Sequence, residues 1–121
     1  MFRLLFMLIP LLVGSLVLSA CEAQVDAQEL YDKGETVFIE NCARCHDDDG
    51  SGYHPLYPNL DGNPVVTLHD PIPAIQTVMY GRGSMPPFRQ NLSDEEIAAV
   101  LTYIRNAWSN EASIIIPKQI R

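Results

Sequence analysis

The sequence predicts a small all-α domain, because three segments carry helix signals and stretches rich in glycine and proline separate them. Apolar spacing predicts a helix over 27–41, a cap and a glycine bound a short helix over 70–80, and a capping box opens a helix over 94–108. The chain has 121 residues, a length for one domain and not for two. A domain of this size has a limited core, so a buried cofactor would add apolar packing.

An apolar leader precedes the first predicted helix. Residues 1–20 hold one charge, at Arg3, followed by the apolar run Leu4 to Leu18, which is typical of a secretory signal. The run is shorter than the roughly 20 residues that comfortably span a bilayer. Small residues lead to Cys21, as in a bacterial lipobox, whose cysteine becomes lipidated. We therefore expect a lipoprotein signal peptide at 1–20 and a tether at 21–26, with an uncleaved membrane anchor as the alternative.

The first helix, residues 27–41, leads directly into the strongest motif of the chain. Its shared face consists of Leu30, Gly34, Val37 and Phe38. Gly34 weakens a helix unless it serves a purpose, and we expect that purpose to be the close approach of another helix.

The motif is Cys42-Ala43-Arg44-Cys45-His46, a C-x-x-C-H string that is typical of covalent haem attachment. The two thiols lie about one helical turn apart, so both can form thioethers with one porphyrin. The histidine after the second thiol can then ligate the iron. We expect Cys42 and Cys45 to bind one haem c covalently and His46 to be an axial ligand. Zinc would need a second thiol pair, and a thioredoxin-like pair would need βαβ flanks; the sequence has neither.

Turn-forming residues follow the motif. Asp47–Asp49, together with the glycines behind them, predict a solvated acidic loop. The proline-rich stretch 53–60 can wrap a flat cofactor. Pro58 is a candidate to offer its carbonyl oxygen to His46 Nδ1, because a ligating histidine usually needs such an acceptor.

Four residues are candidates for the second axial ligand. His54 follows the motif so closely that little chain remains to reach the far face of the ring, whereas His69 is far enough away for a bis-histidine site. Met79 falls on the short predicted helix, where methionine is more often part of the core. Met85 falls in a glycine- and proline-containing loop, and we expect it to be the ligand. Histidine–methionine ligation raises the reduction potential.

The last helix, residues 94–108, opens with Ser93 as N-cap and Glu96 three residues later. Its apolar stripe consists of Ile97, Val100, Leu101, Ile104 and Trp108. We expect the tail, residues 110–121, to pack as an extended strap. The formal net charge of −7, from 8 basic and 15 acidic residues, argues against nucleic-acid binding. An acidic carrier can still be steered toward a basic patch on a protein partner.

Residues 27–108 resemble a class I cytochrome c. The matches keep the family's order and spacing, and they are Gly34, Phe38, Pro58, Met85 followed by Pro86, and Tyr103. The resemblance implies N- and C-terminal helices that cross around a covalently attached haem, within a domain at 27–109. Residues 81–88 and 92–105 are similar to the small cytochromes that accompany bacterial membrane-associated dehydrogenases. Asp47 departs from the family, because many members have glycine there.

The resemblance, together with the leader and Cys21, implies a membrane-tethered periplasmic mono-haem cytochrome. It would carry single electrons between a dehydrogenase or quinol-oxidising complex and a terminal acceptor. The expected partners are redox proteins (a dehydrogenase, oxidase or reductase) and the membrane, through a lipid on Cys21, with no small-molecule substrate. One alternative is a haem enzyme or gas-binding sensor with a labile or vacant sixth iron position. Another is a structural subunit.

Overall fold

The computed structural model describes residues 25–120, in which six helical segments make up the regular structure. They are α1 (Ala27–Asn41), α2 (Ala43–His46), α3 (Pro64–Thr67), α4 (Ile72–Tyr80), α5 (Asp94–Ile104) and a 3₁₀ turn at Pro117–Gln119. In the same residues, β pairing is limited to two isolated bridges. The predicted all-α class is confirmed. The predicted signal peptide and Cys21 lie outside the described residues.

Helix α1 has the bounds that the apolar spacing predicts. The Asp26 side chain accepts hydrogen bonds from the backbone N–H groups of Gln28 and Glu29, at 2.8 and 3.4 Å, and so caps the helix. This cap lies in the segment expected to be a simple tether. It fixes where α1 begins, and therefore where the motif at its other end lies.

Helices α1 and α5 cross at Gly34, as its position predicts. A Cβ atom on Gly34 would lie 2.1 Å from the carbonyl oxygen of Ala99 and 2.7 Å from Cβ of Tyr103. The two backbones therefore touch, and only hydrogen fits between them. The contact brings the C-terminal end of α1, and the motif that follows it, against the packed centre of the domain.

Helix α5 begins as predicted but ends at Ile104, so its expected extension to Trp108 is wrong. The capping box of Ser93 and Glu96 is present at its start. At the other end, Asn110 Nδ2 donates to the carbonyl oxygen of Ile104 at 2.7 Å, and this oxygen would accept from the Trp108 N–H group in a longer helix. Trp108 instead has a positive φ of 55°. The Asn110 side chain therefore takes the place of the helical hydrogen bond that Trp108 would donate.

The segment after α5 crosses this helix without forming strand or α-helix. Thr102 Oγ1 donates to the carbonyl oxygen of Ile115 at 3.1 Å and accepts from its N–H group at 2.9 Å. Ile115 and Ile120 are fully buried. None of the helices described in residues 25–120 is long and apolar enough to cross a membrane.

An aromatic cluster fills the space between α1, α5 and the loop after the motif. The ring centroids of Tyr31 and Tyr103 are 5.0 Å apart, and those of Phe38 and Trp108 are 5.5 Å apart. Tyr103 also packs on Phe38 at 5.4 Å. Tilted and edge-on pairs at such distances contribute beyond the area they bury. Phe38 is the member of this cluster that lines the cavity described next.

Candidate functional site

One large cavity opens between α1, the stretch after α2, α4 and α5. Its volume is about 710 Å³, which is within the range of small-molecule and cofactor sites. The lining is mostly apolar and includes Phe38, Leu56, Leu60, Val65, Val66, Ala74, Val78, Phe88, Leu92, Val100 and Ile104. Cys42, Cys45, His46 and Met85 all line the same cavity. The structure therefore brings together the four residues that the sequence predicts to hold haem.

His46 is buried at the end of α2, and its ring is oriented by the chain twelve residues later. The distance from Nδ1 to the carbonyl oxygen of Pro58 is 3.0 Å. A carbonyl oxygen can only accept, so Nδ1 carries the proton and donates it. The lone pair is then on Nε2, which is the form of imidazole that binds a metal. The prediction that Pro58 provides this acceptor is confirmed.

Cys42 and Cys45 are both free thiols in half-buried positions on the cavity wall. Cys42 is the residue between α1 and the short helix α2, and Cys45 lies within α2. The Cys42 N–H group donates to the carbonyl oxygen of Phe38, which connects the two helices. Burial, and then the neighbouring Cys45, raise the pKa of Cys42 to about 11. The Cys42 side chain is therefore a neutral thiol at pH 7, suited to the apolar wall.

Met85 reaches the cavity from the loop after α4. Gly81 ends that helix at a φ of 75°, and a Cβ atom there would lie 2.5 Å from the carbonyl oxygen of Met85. Arg82 and Met85 then exchange two backbone hydrogen bonds, at 3.0 and 3.1 Å. A glycine at this point and the tight turn that follows present the thioether to the cavity.

The other three candidates for the second ligand lie elsewhere. Met79 is buried in the core with 3% of its surface exposed, and it does not line the cavity. His54 and His69 are exposed, and neither contributes to the cavity wall. Met85 is thus the one candidate of the four that shares a cavity with His46.

The acidic loop after the motif has an unusual backbone at Asp47. Its φ and ψ are 58° and 157°, a region that glycine adopts readily and other residues rarely adopt. An aspartate therefore occupies a backbone conformation that favours glycine. The loop is closed by hydrogen bonds from the Gly52 N–H group to the carbonyl of His46 at 2.9 Å and from Leu60 N–H to Gly50 at 2.7 Å. The Trp108 ring lies directly on Gly50, where any side chain would collide with it.

Sequence reasoning missed Arg105, which is fully buried beside the site. An arginine near a helix end is usually read as exposed. The available signal was its spacing, because Arg105 follows Leu101 by four residues and so falls on the apolar face of the last helix. Arg82 and Tyr57 also line the cavity.

The residues present fit haem c. The cavity offers one imidazole with a free Nε2, one thioether, and two thiols at the spacing needed for two thioether bonds to one porphyrin. The rest of its wall is apolar, as a flat hydrophobic ring requires. No group of three or more His, Cys, Asp or Glu side chains gathers in residues 25–120 to hold a bare metal ion.

Comparisons with known proteins indicate the family of this chain. Residues 29–104 match the family model for Cytochrome C oxidase, cbb3-type, subunit III. The cytochrome c subunit of alcohol dehydrogenase (quinone) from Gluconobacter oxydans is 38% identical over 91 residues, which are 65% of this chain and 19% of that subunit. Cytochrome c-554(548) from Halomonas halodenitrificans is 40% identical over 68 residues, which are 54% of this chain and 82% of that protein.

Among solved structures, cytochrome CL from Methylophaga aminisulfidivorans is similar with a TM-score of 0.56 and 26% identity, over 66% of this chain and 54% of that one. This chain spans about a fifth of the length of the alcohol dehydrogenase subunit (19%) but most of the length of cytochrome c-554(548) (82%). The family model covers more than half of the chain, and the fold and the cavity agree with it. The chain therefore belongs to this family of class I c-type cytochromes, whose cofactor is a covalently bound haem c.

Proposed function

We propose that this chain is a carrier of single electrons and not a catalytic subunit. In this proposal Cys42 and Cys45 hold one haem c covalently, and His46 and Met85 are its axial ligands. The observation that carries the proposal is the shared cavity, because three separate parts of the fold deliver these four side chains to one apolar space.

The haem, when bound, supplies a one-electron redox couple. The protein's part is to hold the ligands and exclude water. The Pro58 carbonyl keeps the imidazole of His46 in the tautomer whose Nε2 can ligate. The thioether of Met85 would be the second protein ligand of the iron and would leave no position open for a substrate. It would also favour a higher potential than a second imidazole would.

We further propose that the carrier works at the periplasmic side of a bacterial membrane, tethered by a lipid on Cys21. The lipobox-like end of the leader supports this proposal. Tethering would raise the effective concentration of the carrier near membrane-bound partners. Its partners would be redox proteins, either a dehydrogenase or an oxidase, since the matched relative and the matched family carry those names.

The competing proposal, a haem enzyme or gas sensor, needs an open sixth position and a distal acid–base group. His54 and His69 could have supplied that group, but neither lines the cavity. Carbon monoxide binding to the reduced protein separates the two proposals. We expect slow or incomplete binding to the wild type at neutral pH; rapid and complete binding would refute the carrier.

A matched pair of variants tests the ligand. Met85→Leu and Met79→Leu make the same volume-conserving change, which typically costs less than about 1.5 kcal/mol. We expect Met85→Leu to bind carbon monoxide rapidly and to lower the reduction potential, and Met79→Leu to do neither. The reverse pattern would refute Met85 as the ligand.

Two controls test the attachment and the tether. Replacing both Cys42 and Cys45 by alanine should abolish the haem that survives on a denaturing gel, and retention of that haem would refute covalent attachment. Replacing Cys21 by serine should abolish labelling by radioactive palmitate and release the protein from membranes. Unchanged membrane association would favour an uncleaved anchor.

A further inference from the structure

Arg105 is a buried cation without an anionic partner among the described residues. Its side chain is 0% exposed. Nη1 donates to the carbonyl oxygens of Val66 and Leu68 at 2.7 and 3.0 Å. Nε and Nη2 donate to the carbonyl oxygen and the hydroxyl of Ser113 at 3.0 and 2.9 Å. All four acceptors are neutral, and burial lowers the pKa of the guanidinium with no contribution from an acidic neighbour.

The guanidinium lies one residue behind the cavity wall. Val66, whose carbonyl oxygen it binds, lines the cavity, and so does Ile104, the residue before it on α5. Arg105 itself does not line the cavity, so it cannot contact a bound cofactor directly. Any effect of its charge on the site acts through the low-dielectric interior between them.

We propose that Arg105 sets the reduction potential of this cytochrome upward by its buried positive charge. The inference rests on the proposed function, because it needs haem in the cavity. One-electron reduction adds one electron to the site and removes one unit of positive charge from it. A fixed cation nearby repels the oxidised form more than the reduced form, and so favours reduction.

The charge of Arg105 differs from the protein's surface charges in how strongly salt screens it. The chain has a formal net charge of −7, and acidic surface groups favour the oxidised form, but salt screens them. Arg105 is shielded from salt by burial, and neutral acceptors offset its charge only in part. For a separation on the order of 10 Å and an effective dielectric of about 20, its field changes the equilibrium constant for reduction about tenfold. A tenfold change is 59 mV for one electron.

Ser113 allows a test that leaves the arginine in place. Its backbone is on the exposed strap while its hydroxyl contacts Nη2, so an acidic side chain there can remain partly hydrated. Ser113→Asp would place a carboxylate beside the guanidinium, and Ser113→Asn is the neutral control of the same shape. We expect Ser113→Asp to lower the midpoint potential of the purified holoprotein and Ser113→Asn to leave it within a few millivolts of wild type.

Changes at Arg105 itself complete the experiment. Arg105→Gln removes the charge and should favour the oxidised form about tenfold, whereas Arg105→Lys keeps the charge and should restore most of the potential. Arg89→Gln removes an exposed charge, paired with Asp94, and should shift the potential little at physiological salt. Redox titration of each holoprotein, monitored by haem absorbance, gives the midpoint.

Two results would refute the proposal. One is an unchanged potential in both Ser113→Asp and Arg105→Gln. The other is an equal shift in Ser113→Asp and Ser113→Asn, which would assign the effect to strap packing rather than charge. If no haem attaches to the wild type, the proposed function fails instead, and the two failures are therefore distinguishable.

Discussion

Replacing Asp47 by glycine should stabilise this protein. Asp47 follows His46 and has φ and ψ of 58° and 157°. In this region the Cβ atom of an L-residue is crowded by the backbone, and glycine alone is free of the penalty. The aspartate gains little in return, because its carboxylate has one long contact, 3.5 Å from the Ser51 hydroxyl.

The expected gain comes from two opposing effects. Relief of the backbone conformation contributes about 1–3 kcal/mol. The greater freedom of glycine in the unfolded chain costs about 0.4–1 kcal/mol. The net expectation is a gain of about 1 kcal/mol, which is a rise of about 4–8 °C in Tm for a domain of this size.

Asp48→Gly is the matched control, because it removes the same charge from the next position, where φ is not positive. It should bring the unfolded-state cost without the relief, and so lose about 0.4–1 kcal/mol. Guanidinium unfolding of both holoproteins can be followed by fluorescence of Trp108, the one tryptophan of the chain. If Asp47→Gly were no more stable than Asp48→Gly, the backbone at Asp47 would not be strained and the reasoning would fail.

Two further predictions concern the helices. Gly34→Ala should destabilise the holoprotein by at least about 1–3 kcal/mol in guanidinium unfolding, because the added methyl group collides with the backbone of Ala99. The control is Thr36→Ala, on the exposed face of the same helix, which should be neutral or stabilising by a few tenths of a kcal/mol. Equal stability of the two variants would contradict the backbone contact. The hydrogen bond that the Ser93 N–H group donates holds the pKa of Glu96 below its ordinary value of 4.5. The ionised Glu96 therefore stabilises the fold fully above about pH 4.5, and this stabilisation is lost as the pH falls through the lower pKa of the folded state. The Tm difference between wild type and Glu96→Gln should therefore shrink below about pH 4.5, and a gap independent of pH would count against it.

Much of the site could be predicted because its signals are local. The C-x-x-C-H spacing, the capping box and the glycine of α1 each depend on residues within one or two helical turns. The Pro58 contact with His46 could also be predicted, because a ligating histidine usually needs an acceptor and the proline-rich stretch 53–60 was expected to wrap the cofactor. The glycine- and proline-containing loop favoured Met85 as the second ligand. Its position on the cavity wall, however, depends on the turn after Gly81 and on how α4 packs.

Other features could not be read from the chain. Near the end of α5, the Asn110 side-chain amide donates to the Ile104 carbonyl oxygen, which would accept from the Trp108 N–H group in a longer helix. The burial of Arg105 could not be predicted for a related reason. A buried cation is tolerated only where other groups supply hydrogen-bond acceptors, and here the acceptors belong to residues up to 39 positions away. Propensity and periodicity describe neighbours along the chain, and neither feature is determined by such neighbours.

The cofactor class, the helical architecture and the four residues proposed to hold the haem could all be predicted from the sequence, because covalent attachment and helix crossing each need particular residue types at fixed spacings. The tertiary structure was needed to show that His46 and Met85 share a cavity and that Met79 does not line it. It was also needed to show that the guanidinium of Arg105, which has no anionic partner within residues 25–120, lies behind the cavity wall. These features depend on how residues that are far apart in the sequence pack together and exclude water. Packing of the whole domain determines this arrangement, and no short stretch of the sequence specifies it.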